Sequence, residues 1–245
     1  MGTAVSIDIR DDVPSSALDD VLRWLHHVDA TFSTYSPESP ISRLGTGAAT
    51  LEEMTDEVVG VLALCEQLSD DTGGAFSAFV VPAPNGSRLD PSGVVKGWSI
   101  ERAAELLEQH GAKNFCINAG GDVAIRGQAC PGEAWRIGIR HPDIADKFAA
   151  VLAASGRLAV ATSATYERGA HIIDPTTGAP TADMASVTIV GPDLTYADAY
   201  ATAVFVMGID GLDWLAEHHP EYAGFVITRD ETAVSTPNFA DVRVS

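Results

Sequence analysis

Strand patterns and helical patterns are interspersed along this chain without a regular strand–helix–strand rhythm, and this order restricts the fold more than any other feature. Helical spacing of apolar residues occurs in four main segments, at 16–30, 55–71, 99–110 and 195–208. Strand patterns occur at 3–10 and in FCINAGGDVAIRG, WRIGIR, RLAVAT, HIID, ASVTIV and AGFVITR. A parallel doubly wound sheet would place a helix between successive strands, so we predict an α+β fold.

The charge and hydrophobicity of the chain exclude several classes of protein. The 245 residues include 34 acidic and 15 basic side chains, the formal net charge is -19, and 46% of the residues are hydrophobic. A chain this apolar is not disordered. A chain this acidic lacks the basic surface that a general nucleic-acid binder needs. We expect one compact domain over residues 1–245.

Cysteine usage and hydropathy favour a cytoplasmic protein. Cys65, Cys116 and Cys130 form no CxxC pair and no even set, so we expect neither a disulfide framework nor a zinc ribbon. No window approaches the length of a membrane span, and no basic region followed by an apolar stretch marks a signal peptide. We therefore expect a protein without a membrane anchor.

Lysine is scarce, and one of the three lysines lies in a glycine-containing segment. LDPSGVVKGW (89–98) combines an acid, a Ser-Gly turn and the pair Lys96-Gly97 within ten residues. Glycine allows the backbone to approach a ligand closely, and a lysine ammonium offers a point charge to phosphate. The segment is a candidate phosphate-binding loop. The alternative is a capped turn that leads into a helix at Ser99, with Lys96 solvated.

The predicted helix TYADAYATAVFVMG (195–208) carries a second candidate site. Asp198 and Thr202 are four residues apart and share a helix face that is otherwise small and apolar. Mg²⁺ prefers such oxygen ligands and takes only a few of them from protein. A magnesium site is one interpretation. The other is an acid in the first turn of the helix, stabilised by the helix dipole.

Three further segments carry weaker signals. NAGGDVAIRG (118–127) fits a tight hairpin. HIIDPTTGAP (171–180) places polar groups at a strand end, where His171 is a general base, a phosphate donor or a satisfied strand histidine. Tyr35, in the Ser- and Pro-rich loop 31–44, offers a ring that can stack on a planar ligand.

Taken in order, these segments resemble the ApbE-type family of FAD:protein FMN transferases. The motifs are weak individually, but they keep the family's order over nearly the whole chain. The matching segments are Met1-Gly2-Thr3, Phe32-Ser33-Thr34-Tyr35, Ser39 with Ser42-Arg43, Gly74-Ala75-Phe76, Leu89-Asp90 through Lys96-Gly97, Asn118 with Gly120-Gly121-Asp122, His171-Ile172-Ile173-Asp174-Pro175 with Thr177-Gly178, and Ala197-Asp198 with Thr202.

The resemblance implies an ApbE-like domain with mixed sheets and flanking helices. It also implies an enzyme that moves the FMN part of FAD onto a Thr or Ser hydroxyl of a client flavoprotein and releases AMP. The implied ligands of Mg²⁺ are Gly93 (through its carbonyl), Asp198 and Thr202. The implied FAD-contacting positions are Met1, Tyr35, Ala75, Phe76, Ser77, Asp90, Lys96, Gly120 and Ile172.

The same resemblance assigns catalytic roles. Lys96 would neutralise a phosphate oxygen, and Asp198 would hold the metal. His171 is the first candidate for the base that accepts the proton of the acceptor hydroxyl, and Asp174 is a weaker one.

Three positions depart from the family pattern. Ser77 stands where the motif GAFD ends in a carboxylate, Trp98 replaces the tyrosine of KGY, and Ala201 stands where some members carry a further acid beside the metal. The alternatives are therefore an enzyme that hydrolyses FAD with water as the acceptor, and a protein that binds flavin without catalysis. A metal-dependent phosphohydrolase acting on another nucleotide is a third.

Overall fold

The structure, a computed structural model, describes residues 2–79, 89–144, 146–165, 173–175, 177–178, 181 and 183–244. The helices are α1 (Ser15–Phe32), α2 (Pro40–Gly45), α3 (Asp56–Asp71), α4 (Ser92–Gln109), α5 (Leu194–Met207) and α6 (Asp210–His218). The strands are β1 (Val5–Ile9), β2 (Phe115–Ala119), β3 (Asp122–Arg126), β4 (Trp135–Arg140), β5 (Phe148–Ala154), β6 (Leu158–Ala164), β7 (Met184–Gly191), β8 (Ala223–Thr228) and β9 (Ala233–Ser235).

The strands form one large sheet and one small one. Among the described residues, the order in the large sheet is β1-β2-β3-β6-β7-β8-β9, and β4 pairs with β5 in the small sheet. Each described pairing of named strands is antiparallel. Antiparallel strands need no helical crossover, which is why the helices are interspersed irregularly. The α+β prediction is confirmed.

The large sheet separates two hydrophobic cores, because successive side chains of a strand point to opposite faces. Ile117, Ala124 and Ile189 belong to the first core, which also contains the buried faces of α1, α3, α4 and α5. Val123 and Ile125 belong to the second core, which they share with β4 and β5. Helix α5 lies in the first core with most of its residues buried. A polar side chain on α5 is therefore held inside the protein.

No described helix is long and apolar enough to cross a membrane. Helices α1 and α4 have 18 residues each but carry charged side chains. The most apolar helix, α5, has 14 residues and is buried in the first core.

Helix α4 begins earlier than the sequence predicts, at Ser92 rather than Ser99. The prediction of an irregular segment up to residue 98 is therefore wrong from Ser92 onward. Gly93 and Gly97 conceal the helix in the sequence, because glycine is a poor helix former. Both glycines lie at close contacts with another part of the chain, so packing explains their presence.

Two other elements differ from the prediction. Helix α2 lies in the loop that was expected to be irregular, and it begins with Pro40 after Ser39, whose Oγ accepts a hydrogen bond from the Ser42 N–H at 3.1 Å. Strand β5 (FAAVLAA) was not predicted, because its run of small apolar residues has no alternation of polar and apolar side chains.

Candidate active site

Helices α4 and α5 run antiparallel in direct contact, and residues from both candidate segments meet there. The N–H of Gly97 donates a hydrogen bond to Asp198 Oδ2 at 3.0 Å. A Cβ atom built on Gly97 would lie 2.4 Å from the Leu194 carbonyl oxygen. One turn earlier in α4, a Cβ atom built on Gly93 would lie 3.8 Å from Thr202 Oγ1. Residues 93 and 97 thus face residues 202 and 198 on successive turns.

The Lys96 ammonium lies between two buried carboxylates. Its Nζ atom is 2.7 Å from Asp122 Oδ2 and 3.7 Å from Asp198 Oδ1. Asp122 is the first residue of β3 and is 1% exposed. Its Oδ1 atom accepts a hydrogen bond from the Thr162 N–H at 3.1 Å. The interpretation of Lys96 as a solvated side chain is therefore wrong, since its ammonium belongs to an ion cluster.

The cluster of Lys96, Asp122 and Asp198 has one positive and two negative formal charges. Burial raises the pKa of Asp198 to about 7, while the Lys96 charge lowers this pKa and the Asp122 charge raises it. An additional cation beside Asp198 would stabilise its charged form. The electrostatics of the cluster therefore favour a divalent ion at this place.

The oxygen donors at the α4–α5 contact fit magnesium. Asp198 offers a carboxylate and Thr202 a hydroxyl, and the Ser163 hydroxyl lies 3.5 Å from Thr202 Oγ1. The Gly97 N–H donates to Asp198 Oδ2. A backbone carbonyl oxygen has two lone pairs, so the Gly93 carbonyl has acceptor capacity for a cation beyond its one helical hydrogen bond. The described residues contain no group of three or more His, Cys, Asp and Glu that could hold a metal. A site here would use mixed oxygen ligands completed by water and phosphate, as Mg²⁺ sites commonly do.

The segment before α4 brings two more predicted residues to this place. The Phe76 ring packs on Gly93, where a Cβ atom would lie 3.1 Å from Phe76 Cε2. The Asp90 N–H donates to the Ala78 carbonyl at 2.7 Å. Asp90 Oδ1 in turn accepts a hydrogen bond from the Ser92 N–H at 3.0 Å. Asp90 therefore makes a local turn contact with the first residue of α4, whose N-cap is Pro91.

The other predicted flavin contacts are more scattered. Ala75 is partly buried against the first core, and the Ser77 hydroxyl accepts a local hydrogen bond from the Phe79 N–H at 3.1 Å. Tyr35 is 76% exposed just after α1. Gly120 has φ +61° in the β2–β3 turn, which favours glycine. Met1, His171 and Ile172 lie outside the described residues, so their roles stay predictions.

Sequence reasoning assigned no role to Asp122 of the cluster or to Ser163, which lies beside Thr202. Asp122 was interpreted as a turn residue, although it shares a strand face with Ala124, whose side chain lies in the first core. A carboxylate on a core-facing strand position needs a cation, and this pattern could have identified it. Ser163 carried no such signal. Asp198 is the fifth residue of α5, so the interpretation of a first-turn acid is wrong.

Replacing Gly97 with alanine is expected to destabilise the protein by about 1–3 kcal/mol, because the new methyl group would overlap Leu194 and Asp198. Gly60→Ala is the matched control: Gly60 lies inside α3, and nothing is within 4 Å of a Cβ atom there. The control is expected to stabilise by roughly 0.5–1 kcal/mol. Urea denaturation measures both, and equal effects of the two substitutions would contradict the close packing at Gly97.

Comparison with known proteins identifies one matching family and relatives that share a single name. The model of the ApbE family matches residues 1–86 and 80–226. A protein of Haemophilus influenzae named FAD:protein FMN transferase is 26% identical over 300 aligned positions, which cover 96% of this chain and 86% of that protein. A protein of Vibrio cholerae with the same name is 34% identical over 129 residues, and the match covers 49% of this chain and 39% of that protein.

Solved structures show the same fold. The flavin transferase ApbE from Vibrio cholerae superimposes with a TM-score of 0.85 at 23% identity, over 99% of this chain and 96% of that one. The ApbE protein from Thermotoga maritima gives a TM-score of 0.85 at 23% identity, over 100% of this chain and 97% of that one. The expectation of an ApbE-like fold is therefore confirmed.

Proposed function

This chain belongs to the ApbE family, and we propose that it transfers the FMN part of FAD to a Thr or Ser hydroxyl of a client flavoprotein and releases AMP. The observation that carries the proposal is the buried cluster of Lys96, Asp122 and Asp198 at the α4–α5 contact. Relatives in Haemophilus influenzae and Vibrio cholerae are named FAD:protein FMN transferase, which supports the transfer of FMN from FAD to a protein.

The proposed site needs a divalent cation. Gly93, Asp198 and Thr202 would hold Mg²⁺, since a carbonyl, a carboxylate and a hydroxyl are hard oxygen donors. Bound Mg²⁺ would act as a Lewis acid on pyrophosphate oxygens and stabilise the charge that develops on departing AMP. The two carboxylates of the cluster outnumber its one ammonium, which supports this assignment.

The chain's own residues would bind FAD and orient it. The Lys96 ammonium, fixed by Asp122 at 2.7 Å, would pair with a phosphate oxygen. The exposed ring of Tyr35 would stack on the isoalloxazine, and Phe76 would shape the site beside Gly93. In this arrangement Asp122 is a positioning residue for the Lys96 ammonium.

The reaction is a displacement at the FMN phosphorus. The acceptor oxygen forms a bond to this phosphorus, and the bond from phosphorus to the oxygen that bridges to AMP breaks. The proton of the acceptor hydroxyl passes to a base, for which we propose His171, with Asp174 as the second candidate. AMP leaves with the bridging oxygen and its electron pair.

The proposal is tested with FAD, Mg²⁺ and a coexpressed flavoprotein that carries a candidate acceptor threonine. We expect AMP on chromatography, and a matching gain in client mass equal to FAD minus AMP, that is, one FMN less one water. A chelator is expected to lower the rate by roughly 10²-fold or more, because the main electrostatic stabiliser is lost. Restoring activity with excess Mg²⁺ is the control for damage to the protein.

The other outcomes assign the alternatives. AMP together with free FMN and an unlabelled client would identify an FAD hydrolase that uses water as the acceptor. A yellow protein that forms no AMP would identify a flavin binder. Stronger thermal protection by ATP than by FAD would favour a phosphohydrolase for another nucleotide.

A further inference from the structure

A second buried ion cluster lies next to the candidate active site and centres on Glu101 of α4. Glu101 is 4% exposed. Its Oε1 atom accepts hydrogen bonds from the guanidinium groups of Arg126, at the end of β3, and Arg157, the latter at 2.6 Å. Its Oε2 atom accepts a hydrogen bond from the Leu194 N–H at 3.0 Å. One carboxylate thus joins α4 to β3, to the residue just before β6 and to the first residue of α5.

The partners of Glu101 are themselves held in place. Arg126 is 3% exposed, and its Nε atom donates to Glu108 Oε1 at 3.1 Å. The Nε atom of Arg157 donates to the Pro192 carbonyl at 3.0 Å, just before α5. Each guanidinium therefore connects Glu101 to a second anchor on the backbone or on another helix turn.

The Glu101 contact continues the series that forms the active site. Along α4, residues 93, 97 and 101 are one turn apart, and they face residues 202, 198 and 194 of α5. The first two contacts contain the proposed metal ligands and the Gly97–Asp198 hydrogen bond. The third contains the Glu101–Leu194 hydrogen bond. Because the three contacts lie on the same pair of helices, a displacement of α5 at the third contact would also change the spacing at the other two.

We propose that Glu101 is a positioning residue that sets the spacing of α4 and α5, and thereby holds Gly93 opposite Thr202 and Gly97 opposite Asp198. Its effect on FMN transfer rests on the proposed function, whereas its effect on helix spacing does not. A carboxylate is required because both of its oxygens accept: Oε1 accepts from Arg126 and Arg157, and Oε2 accepts from the Leu194 N–H. A glutamine amide accepts only at its single oxygen. The substitution Glu101→Gln would therefore lose either the hydrogen bond from Leu194 or those from both arginines, and would turn an NH2 group toward the donors that are left.

The test compares Glu101→Gln with Glu105→Gln, the same change one turn further along α4. Glu105 pairs with Arg102 at 2.6 Å on the exposed side of the helix, so it is a matched control. Amide-resolved hydrogen exchange reports directly on the α4–α5 contact. For Glu101→Gln we expect exchange of both the Leu194 and the Gly97 amides to accelerate at least ~10-fold. We expect Glu105→Gln to leave both rates within about twofold of the unchanged protein.

A second readout is the binding of Mn²⁺ alone, which is measured by the paramagnetic resonance signal of the ion. The measurement is made at a temperature where circular dichroism shows that the variant is folded. We expect Glu101→Gln to weaken Mn²⁺ binding about 10-fold and Glu105→Gln to leave it unchanged, because only the former alters ligand spacing. If Glu101→Gln does not fold, Arg157→Gln replaces it. Arg157 is half-exposed, and its substitution removes one of the three donors to Glu101. We therefore expect the same increases in amide exchange and the same loss of Mn²⁺ binding, but smaller.

Faster exchange at Leu194 with unchanged exchange at Gly97 and unchanged Mn²⁺ binding would overturn the proposal, since Glu101 would then only cap α5. Failure of the proposed function has a different signature. The unchanged protein would form no AMP from FAD, while the exchange rate of Gly97 would still depend on Glu101. Equal effects of Glu101→Gln and Glu105→Gln on amide exchange and Mn²⁺ binding would also overturn the proposal for Glu101.

Discussion

Asp198→Asn is expected to lower the rate of AMP release from FAD by about 10²-fold or more, because the amide removes the anionic ligand proposed for Mg²⁺. The fold is expected to persist. An asparagine oxygen can still accept the Gly97 hydrogen bond, now at 3.0 Å to the carboxylate. Since burial raises the pKa of Asp198 to about 7, a neutral side chain relieves the cost of a buried charge. We therefore expect a melting temperature equal to or above that of the unchanged protein.

Asp213→Asn is the control for this substitution. Asp213 is exposed in the first turn of α6 and lies outside the cluster. The same chemical change is therefore expected to leave the rate unchanged and to lower the melting temperature slightly, through the lost interaction with the helix dipole. Liquid chromatography of AMP and a thermal melt measure both quantities. Turnover by Asp198→Asn at the rate of the unchanged protein would remove Asp198 from the metal site.

Lys96→Gln is expected to impair both stability and FAD binding. Without the ammonium, Asp122 and Asp198 face each other with no compensating charge. Removing one partner of a fully buried ion pair costs roughly 3–5 kcal/mol, and we expect about 2 kcal/mol because the Lys96 side chain is 28% exposed. For a chain of this size, that lowers the melting temperature by roughly 4–8 °C. The rate of AMP release is expected to fall ~10²-fold with the loss of a phosphate contact.

Two comparisons separate the electrostatic effects of Lys96 from general damage. Lys113→Gln removes an exposed lysine near the end of α4 and is expected to change neither quantity. In the double variant Lys96→Gln/Asp122→Asn, Asp198 no longer faces a second carboxylate, so the repulsion left by the loss of the ammonium is removed. We therefore expect stability to return and activity to stay low. Full FAD affinity in Lys96→Gln would show that Lys96 only neutralises Asp122.

The sequence predicts the parts of this site that depend on local spacing. Asp198 and Thr202 are identified by their i, i+4 separation on a helix, and the structure places both on α5 at the α4 contact. The hairpin around Gly120 follows equally from its adjacent glycines. These features need only the geometry of one element, and a single sequence contains it.

The parts that depend on contacts between distant segments could not be predicted. The early start of α4 is concealed by Gly93 and Gly97, whose role appears only when α5 packs against them. Asp122 was assigned to a turn because its partner Lys96 belongs to another element. The position of Glu101 gives no hint that its carboxylate reaches Leu194. Helix and turn propensities reflect only the residues nearby in the sequence. The start of α4 and the roles of Asp122 and Glu101 are decided instead by tertiary packing.

The Gly97–Asp198 hydrogen bond joins residues 101 positions apart, and the Glu101–Leu194 hydrogen bond is nearly as long-range. All of β2 to β7 lies in the intervening chain. Closing so large a loop costs conformational entropy, so we expect these contacts to form only once the sheet between them is in place. Because helices of this length depend on tertiary packing for their stability, we expect activity, tertiary structure and helix content to be lost together in denaturant.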